Sequence, residues 1–562
     1  MRLKAVCVLA LVCGLWPARA SADNRFIVRT TLDLQTLQTA CNPPLLPPIC
    51  TVVNGLGDPL GQLFLITSPL DLDGLLDLPS NPLGIVDAEV DRLLNLFPVG
   101  ALNVVPSPFF PTDLMSDRTL VSYPDSGGTV WNSYANQPAA QIVRVSDAQS
   151  QFEVTGSGIV ADIDTGVDPA HPALQSVLVL NPDGSTGYDF TRNQPGGSEM
   201  TDLAPGFPQP NPCDSTTCPS AMQVNQSSVA ILDQSSVAIL DGNPQYAAFG
   251  HGTMVMGVIH LVAPTAQLLP LKTFKSDGTG FLSDILRAIY YAVQNSANVI
   301  NMSFDTQRRS RELRKALNYA NQNNVICVAS AGNEGQSAPP LEVYPAEWQK
   351  VVMGVASTGS MPGVNEDTQS SFSNYGNAIV WVAAPGEAIV TTYPFSTYAA
   401  GWGTSFSAPF VSGGSSLLLN QQANMNESEA AEAVAHAVPV GPNMGNGRLD
   451  LVQTLGSLAP ADVPPTGSIN SPSGDVTIFA GQSVFFSGSG TDPDGTVTAY
   501  SWSFPGGNPG ASNEATPGSV TYSTPGIFTA TLTVTDNAGL SDPNPKTRTI
   551  MVLPCFLLCG PL

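Results

Sequence analysis

Gly403-Thr404-Ser405-Phe406-Ser407-Ala408-Pro409-Phe410-Val411-Ser412-Gly413 is the stretch on which the reading of this chain turns. A serine flanked by small residues stands at the mouth of an apolar run, Val411 to Leu419, which predicts a helix with the serine at its N-terminus. Unpaired backbone N–H groups there favour developing negative charge. Alone, the pattern equally fits an ordinary Ser or Thr helix cap. Two upstream segments decide the matter. Asp162-Ile163-Asp164-Thr165-Gly166 ends an apolar, β-branched run that begins at Ser157, and Gly250-His251-Gly252-Thr253-Met254-Val255-Met256-Gly257 opens a second predicted helix. An acid, an imidazole and a hydroxyl, each at the end of a regular element, are the parts of an activated nucleophile.

In chain order these parts run Asp, His, Ser, the order of the subtilisin triad. The chain resembles the subtilisin family of serine proteases through Asp164-Thr165-Gly166, His251-Gly252-Thr253 with Val255 and Gly257, and Gly403-Thr404-Ser405 with Pro409, Val411 and Gly413. Ala331-Gly332-Asn333-Glu334-Gly335 resembles the segment that carries the family's oxyanion-hole asparagine. Lesser matches at Val262-Ala263-Pro264, Asn301-Met302-Ser303, Phe372 to Gly376 and Ala384-Pro385-Gly386 extend the likeness over most of residues 155 to 456. Four motifs in the right order are far more specific than any one of them.

The resemblance implies an α/β fold: a central parallel sheet flanked by helices, with reacting groups at the carboxyl ends of strands. It implies Ser405 as nucleophile, His251 as general base and then acid, Asp164 as the group that orients the imidazole, and Asn333 with the Ser405 backbone N–H as oxyanion donors. It further implies that Gly278, Thr279 and Gly280 form an edge along which a peptide lies, and that Ser303, Phe304, Asp305, Ala331 and Gly332 contact the substrate. Asp162 is the rival acid, but it lacks the Thr-Gly turn and reads as a sheet carboxylate. His171, His260 and His436 lack the glycine-flanked setting of His251 and read as surface or packing residues. The competing class is a secreted adhesion or binding protein built on an inactive protease fold, since fold alone does not confer activity. The presence of all four catalytic residues argues against it.

Composition narrows the remaining classes. The chain has 562 residues, 21 Lys plus Arg against 45 Asp plus Glu, and a net charge of −24, so general attraction to nucleic acid or anionic lipid is excluded. Arg2 and Lys4, the apolar run Ala5 to Trp16 and Ala18-Arg19-Ala20 form a secretory signal peptide over residues 1–20, too short in its apolar part for a membrane anchor. No later stretch reads as transmembrane, and an extracellular protein is expected. Seven of the nine cysteines lie beyond that segment: Cys41 with Cys50, Cys213 with Cys218, Cys555 with Cys559, and Cys327 in an apolar run. Each close pair is expected as a small-loop disulfide and Cys327 as a buried thiol.

The domain reading follows the same signals. Residues 21–96 form a small α+β unit that resembles a subtilisin propeptide, with a strand from Arg25 to Thr30, a helix near Leu32 to Thr39 and a second helix from Asp87 to Leu96. Residues 97–137 read as a Pro- and Ser-rich linker that holds the processing site, and 138–458 as the protease domain. Within it, residues 175–248 are a long insertion containing a tandem octapeptide, residues 226–233 and 234–241, expected to be a surface loop or hairpin. Ser283 is expected to cap a helix with Ile285, Ile289, Ala292 and Val293 on its apolar face, and the bases from Arg308 to Lys315 to form a solvated face. After a linker at 459–465, residues 466–553 alternate apolar and threonine positions and resemble a PKD domain, an all-β immunoglobulin-like sandwich, with an extracellular protein or glycan as its expected ligand. Residues 554–562 are a tail.

Proteins or peptides are the expected substrates, and no cofactor is required. Calcium is left unassigned. Ala173 stands where the resemblance would place a calcium-binding acid, and only Leu261 and Val262 separate His260 from Ala263-Pro264, so the family's usual site is expected to be absent; Asp492 and Asp494 could serve elsewhere but also fit a Pro-Asp-Gly turn. One departure bears on specificity. Where subtilisins run on from Asn301-Met302-Ser303 with an aliphatic residue and glycine at the rim of the primary pocket, this chain has Phe304 and Asp305. A carboxylate there narrows the entrance and shifts the expected preference towards Lys, Arg or small polar residues.

Overall fold

The computed structural model describes residues 23–44, 47–96, 117–123, 128–205, 222–225, 244–458 and 462–554. The expected signal peptide, most of the expected processing region, Cys213, Cys218, the tandem octapeptide and the tail with Cys555 and Cys559 lie outside the described residues. The chain forms two compact units, divided between Leu458 and Ala459.

The first unit is built on an eight-stranded sheet in the order Gln194–Pro195, Tyr188–Asp189, Gln267–Lys272, Ile159–Asp164, Val299–Met302, Ile326–Ser330, Met353–Thr358, Val382–Pro385. All neighbours pair in parallel except the first two strands. Such a sheet must be covered on both faces, and successive residues supply the two covers alternately. Val160, Val299, Val328 and Val355 pack towards the helices His251–Val262 and Thr404–Gln421, while Ala161, Ile163, Ile300 and Ala329 pack towards Leu282–Gln294 and Arg311–Gln322. Ile159–Asp164 has later strands on both sides, Gln267–Lys272 and Val299–Met302, so the strand order reverses at it, which is where open α/β sheets gather their reacting groups.

Residues 24 to 90 form a four-stranded antiparallel sheet in the order Thr51–Gly55, Leu63–Ser68, Asn24–Thr30, Ile85–Val90, with helices Leu34–Cys41 and Leu72–Leu76. Cys41 and Cys50 are joined by a disulfide, and Cys327 is free and buried. One face of this sheet closes over its own helices through Phe26, Val28, Leu37 and Ile66. The other, with Ile27, Leu63 and Leu65, packs into the same core as Leu286, Ile289 and Leu317 of the main body. Each such side chain is worth roughly 1.5–3 kcal/mol when fully buried, against about 0–1 kcal/mol for a surface ion pair, so this face holds the two parts together.

Three expectations are corrected here. The helix expected over Asp87 to Leu96 is two strands, Ile85–Val90 and Leu93–Asn95, because their pairing partners Phe26–Thr30 and Thr279–Phe281 are remote in sequence. The stretch expected as linker is folded in its later part: Leu120–Ser122 pairs with Thr129–Trp131, and Tyr123, Trp131 and Tyr134 are buried. Ser283 lies inside its helix instead of capping it; its N–H and hydroxyl both donate to Asp91, each at 2.9 Å. The basic residues Arg308, Arg309, Arg311, Arg314 and Lys315 are all exposed, as expected of a solvated face, and from it Arg311 and Lys315 also pair with Asp87 at 2.7 and 3.2 Å while Arg314 lies over Trp348.

The second unit is a sandwich of a four-stranded and a five-stranded sheet running from Thr466 to Leu553. Its core holds Phe486, Trp502, Phe504, Tyr522, Leu532 and Ile550. Along Gly526–Asp536 the burial alternates residue by residue, as the threonine pattern requires.

Candidate active site

Asp164 ends its strand with its carbonyl accepting the N–H groups of Thr273 and Phe274, and its carboxylate accepts the Thr165 N–H at 2.6 Å. His251 begins its helix, and its Nδ1 lies 2.7 and 2.8 Å from the two Asp164 oxygens. Glycine makes this approach possible. A Cβ on Gly252 would collide with the Gly166 carbonyl, and Gly166 itself turns at φ +101°.

Ser405 lies in the first turn of Thr404–Gln421 and its hydroxyl donates to the Ser303 carbonyl at 3.2 Å. The exchange is reciprocal, for a reason in the sequence. Pro409 has no N–H, so the Ser405 carbonyl lacks its i+4 donor, and the Ser303 hydroxyl donates to that carbonyl at 2.9 Å instead. Asn333 follows the strand Ile326–Ser330. Its side-chain oxygen accepts from the Thr404 N–H at 2.9 Å and the Thr404 hydroxyl at 3.0 Å, which leaves its NH2 group as a donor.

Asp162, the rival acid, has a different setting. It is buried, accepts from the Asn301 amide at 2.9 Å, and is held well above the usual carboxylate range by burial and by Asp164. His260 is fully buried with its ring 5.2 Å from Tyr123, and burial pushes it down to about 3; His171 is buried with Nε2 2.9 Å from the Thr397 carbonyl, and His436 is exposed.

One residue beneath the triad carries no sequence signal. Glu199 is fully buried, and its carboxylate accepts from the Thr165 hydroxyl at 3.0 Å, the Gly250 N–H at 2.8 Å and the Thr253 hydroxyl. It ties the turn after Asp164 to both residues that bracket His251 and Gly252. Burial raises its pKa to about 8 despite those donors and Lys272. It comes from the long insertion, at no spacing that a motif would reveal.

The expected substrate edge is occupied by the chain itself. Thr279–Phe281 pairs antiparallel with Leu93–Asn95, and the Leu96 N–H donates to the Gly278 carbonyl at 2.9 Å. Among the pocket residues, the Phe304 ring departs from expectation: it is buried 5.4 Å from Phe274, so only its backbone is left for a substrate. Ala331 is also buried, its carbonyl accepting from the Asn374 amide at 2.9 Å. Gly332 donates to the Thr404 hydroxyl at 3.2 Å. Asp305 is half-buried, and burial and Glu334 raise its pKa to about 8.

Residues 156–457 match the model of the subtilase family. The chain belongs to that family. Residues 467–552 match the PKD domain model. Thermitase of Thermoactinomyces vulgaris is 37% identical over 192 residues, 32% of this subtilase and 65% of the relative. Subtilisin DY of Bacillus licheniformis is 34% identical over 190 residues, 32% of this chain and 67% of that one. A crystal structure of a cold adapted subtilisin-like serine proteinase has 25% sequence identity and a TM-score of 0.39, covering 53% of this subtilase and 90% of that chain. This subtilase thus spans about two thirds of the length of the first two relatives, and 51% of subtilisin E of Bacillus subtilis. Among the described residues no helix is long and apolar enough to cross a membrane, and no cluster of three or more His, Cys, Asp or Glu side chains could hold a metal ion.

Proposed function

We propose that this subtilase is a secreted serine endopeptidase that hydrolyses peptide bonds of proteins through an acyl-enzyme and is made as a self-processing zymogen. The observation that carries the reading is the buried Asp164 carboxylate on His251 Nδ1, beside the helix N-terminus that presents Ser405. Asp164 fixes the tautomer that leaves Nε2 to take the Ser405 proton, and stabilises the imidazolium that follows. The hydroxyl first turns from the Ser303 carbonyl towards His251. As Ser405 Oγ bonds to the substrate carbonyl carbon, the oxyanion accepts from the Asn333 NH2 and the Ser405 N–H. His251 then gives its proton to the leaving amine, and water repeats the sequence on the ester.

The zymogen reading rests on the strand Leu93–Asn95 along the substrate edge and on the apolar face shared by the N-terminal sheet and the catalytic body. An extended chain on that edge blocks any other from pairing there. Secretion rests on the sequence of residues 1–20. The test is to express the full chain and Ser405→Ala without other proteases, determine both N-termini and assay casein. Wild type is expected to lose its N-terminal domain and digest casein, while Ser405→Ala accumulates at the longer length and does neither. Equal lengths would overturn self-processing, and casein hydrolysis by Ser405→Ala at the wild-type rate would overturn the nucleophile.

A further inference from the structure

An open sheet edge and a cluster of arginines meet in one groove. Ile85–Val90 is the outermost strand of the N-terminal sheet and pairs only with Asn24–Thr30, so its other edge meets no strand. Unpaired strand edges are templates for another chain. Beside this one, Leu72, Val90, Arg92, Arg308, Arg309 and Arg311 line a groove of about 600 Å³, a size at which pockets take ligands.

The two faces of the strand set what a guest would meet. Pairing puts Ala88 and Val90 opposite Val28 and Phe26, on the face that closes over the domain's own helices together with Leu72. Asp87 and Glu89 stand opposite Arg29 and Ile27, on the face towards the catalytic body. There Asp87 pairs with Arg311 and Lys315, and Glu89 accepts from the Ser310 hydroxyl at 2.7 Å and the Glu312 N–H at 3.3 Å. One side of the edge is thus aliphatic and the other cationic.

The cationic side has charge to spare. Arg92 donates to the Arg308 and Arg309 carbonyls at 3.4 and 3.1 Å, which brings a third guanidinium to two exposed ones. Among the described residues no acid forms an ion pair with Arg92, Arg308 or Arg309, whereas Arg311 and Lys315 have Asp87. Burial lowers the pKa of Arg92; Glu89 opposes this, and the like charge of Arg308 adds to it. A chain of net charge −24 needs no arginine cluster to stay in solution.

We infer that this groove is a docking site for an extended peptide segment of a partner protein, with acidic and aliphatic residues in alternation, added as a further strand to the free edge of Ile85–Val90. Side chains of an added strand point alternately to the two faces. Every second residue would therefore meet Arg308 and Arg309, and those between would meet Leu72 and Val90. Backbone hydrogen bonds supply affinity, the alternation supplies specificity, and guanidiniums hold carboxylates bidentately. A sulfated polysaccharide would satisfy the arginines but neither the strand edge nor the aliphatic side.

The walls of the groove belong to the N-terminal domain and to the catalytic body, so it exists only while the two stay joined. A partner bound there favours the joined form by mass action. That consequence for latency rests on the zymogen reading above; the docking itself does not.

The test uses the full-length Ser405→Ala chain and a fluorescent heptapeptide that alternates glutamate with valine or leucine. Its comparisons are an isomer with the glutamates clustered, a version with lysine for glutamate, and one with methylated backbone nitrogens. The alternating peptide is expected to bind at least about tenfold more tightly than each of the three, and less tightly as salt is raised. Replacing the two exposed arginines, Arg308→Glu with Arg309→Glu, should weaken it at least about tenfold. On binding, hydrogen exchange should slow at the amides of Ile85–Val90. Equal binding of the clustered or the methylated peptide, or protection confined to Arg308 to Lys315, would mean general attraction of anions and overturn strand addition. No binding of the alternating peptide would overturn the site. Processed wild type without its N-terminal domain is expected not to bind; wild type that keeps the domain would sink the zymogen reading and leave the docking result standing.

Discussion

Glu199 and Glu334 are both buried glutamates within a few ångströms of catalytic segments, and the protein completes them in opposite ways. Glu199 has donors on both oxygens, from Thr165, Gly250 and Thr253, whereas Glu334 has one oxygen bonded to Asn374 and one bonded to nothing. A saturated carboxylate can accept no guest, and what it contributes is geometry: it makes the Asp164 turn and the start of the His251 helix a single piece. At Glu334 only Oε2 takes part in holding the fold, through Asn374, and the buried Oε1 adds nothing to it. The two environments predict different kinetic signatures for the same substitution, Glu to Gln.

The largest effects should be blind to this contrast. Ser405→Ala and His251→Ala are each expected to lower kcat on casein by on the order of 10⁴-fold to 10⁶-fold, because the triad acts as a unit. Retention of more than a few per cent of activity in either purified variant would remove the triad assignment. Next comes Asn333→Ala, expected to lower kcat by about a hundredfold to a thousandfold with KM little changed, the magnitude known for the oxyanion asparagine of this family. A loss confined to KM would mean that Asn333 binds substrate and does not stabilise the oxyanion.

Glu199→Gln sharpens the comparison directly. It is expected to lower kcat by roughly tenfold to a hundredfold, the order of cost of a lost ligand-orienting partner elsewhere, for Arg and Phe peptides alike, so their ratio stays fixed. A change confined to KM, or a change in the Arg to Phe ratio, would show that Glu199 does not act by positioning the start of the His251 helix.

The smallest effect concerns stability alone. Glu427 is buried, accepts from the Cys327 N–H at 2.6 Å through one oxygen, and is pushed up to about 8 by burial. Because its folded pKa exceeds its unfolded one, the stability it contributes is present below about pH 4.5 and is lost as pH rises towards 8. Glu427→Gln cannot ionise. Its Tm relative to wild type should rise by a few degrees between pH 5 and pH 8, with kcat unchanged. A Tm difference independent of pH would show that Glu427 is already ionised in the fold.

The parts of the site that were legible in the sequence are those where chemistry and local pattern coincide. Asp164 ends an apolar strand, His251 and Ser405 open helices, and Asn333 follows the run Ile326–Ser330, so each announces both its element and its place at the element's end. What was not legible depends on partners remote in the chain. Asp87 to Leu96 looks helical by itself because the strands that pair with it are Phe26–Thr30 and Thr279–Phe281. Ser283 is not a cap because Asp91, remote in the chain, accepts its N–H. Tyr123, Trp131 and Tyr134 turn a Pro- and Ser-rich stretch into part of the core, and the aromatic side chains, not the linker-like composition around them, were the sign to follow. Asp305 was visible as a departure from the family pattern, but Glu334 as its companion was not, since nothing in the sequence says that both close on Gly332.

Pro409 sits within the helix that carries Ser405, at a position where proline would ordinarily break it. Its effect is to deny the helix one of its own bonds and transfer that bond to Ser303 at the end of the central sheet. Ser405 is therefore anchored crosswise, by its hydroxyl and its carbonyl together, to the layer that also bears Asp164. Breathing or fraying of the helix towards Gln421 can proceed without dragging Ser405 out of line. Mechanically, the serine belongs to the sheet, and the helix behind it serves as a spring.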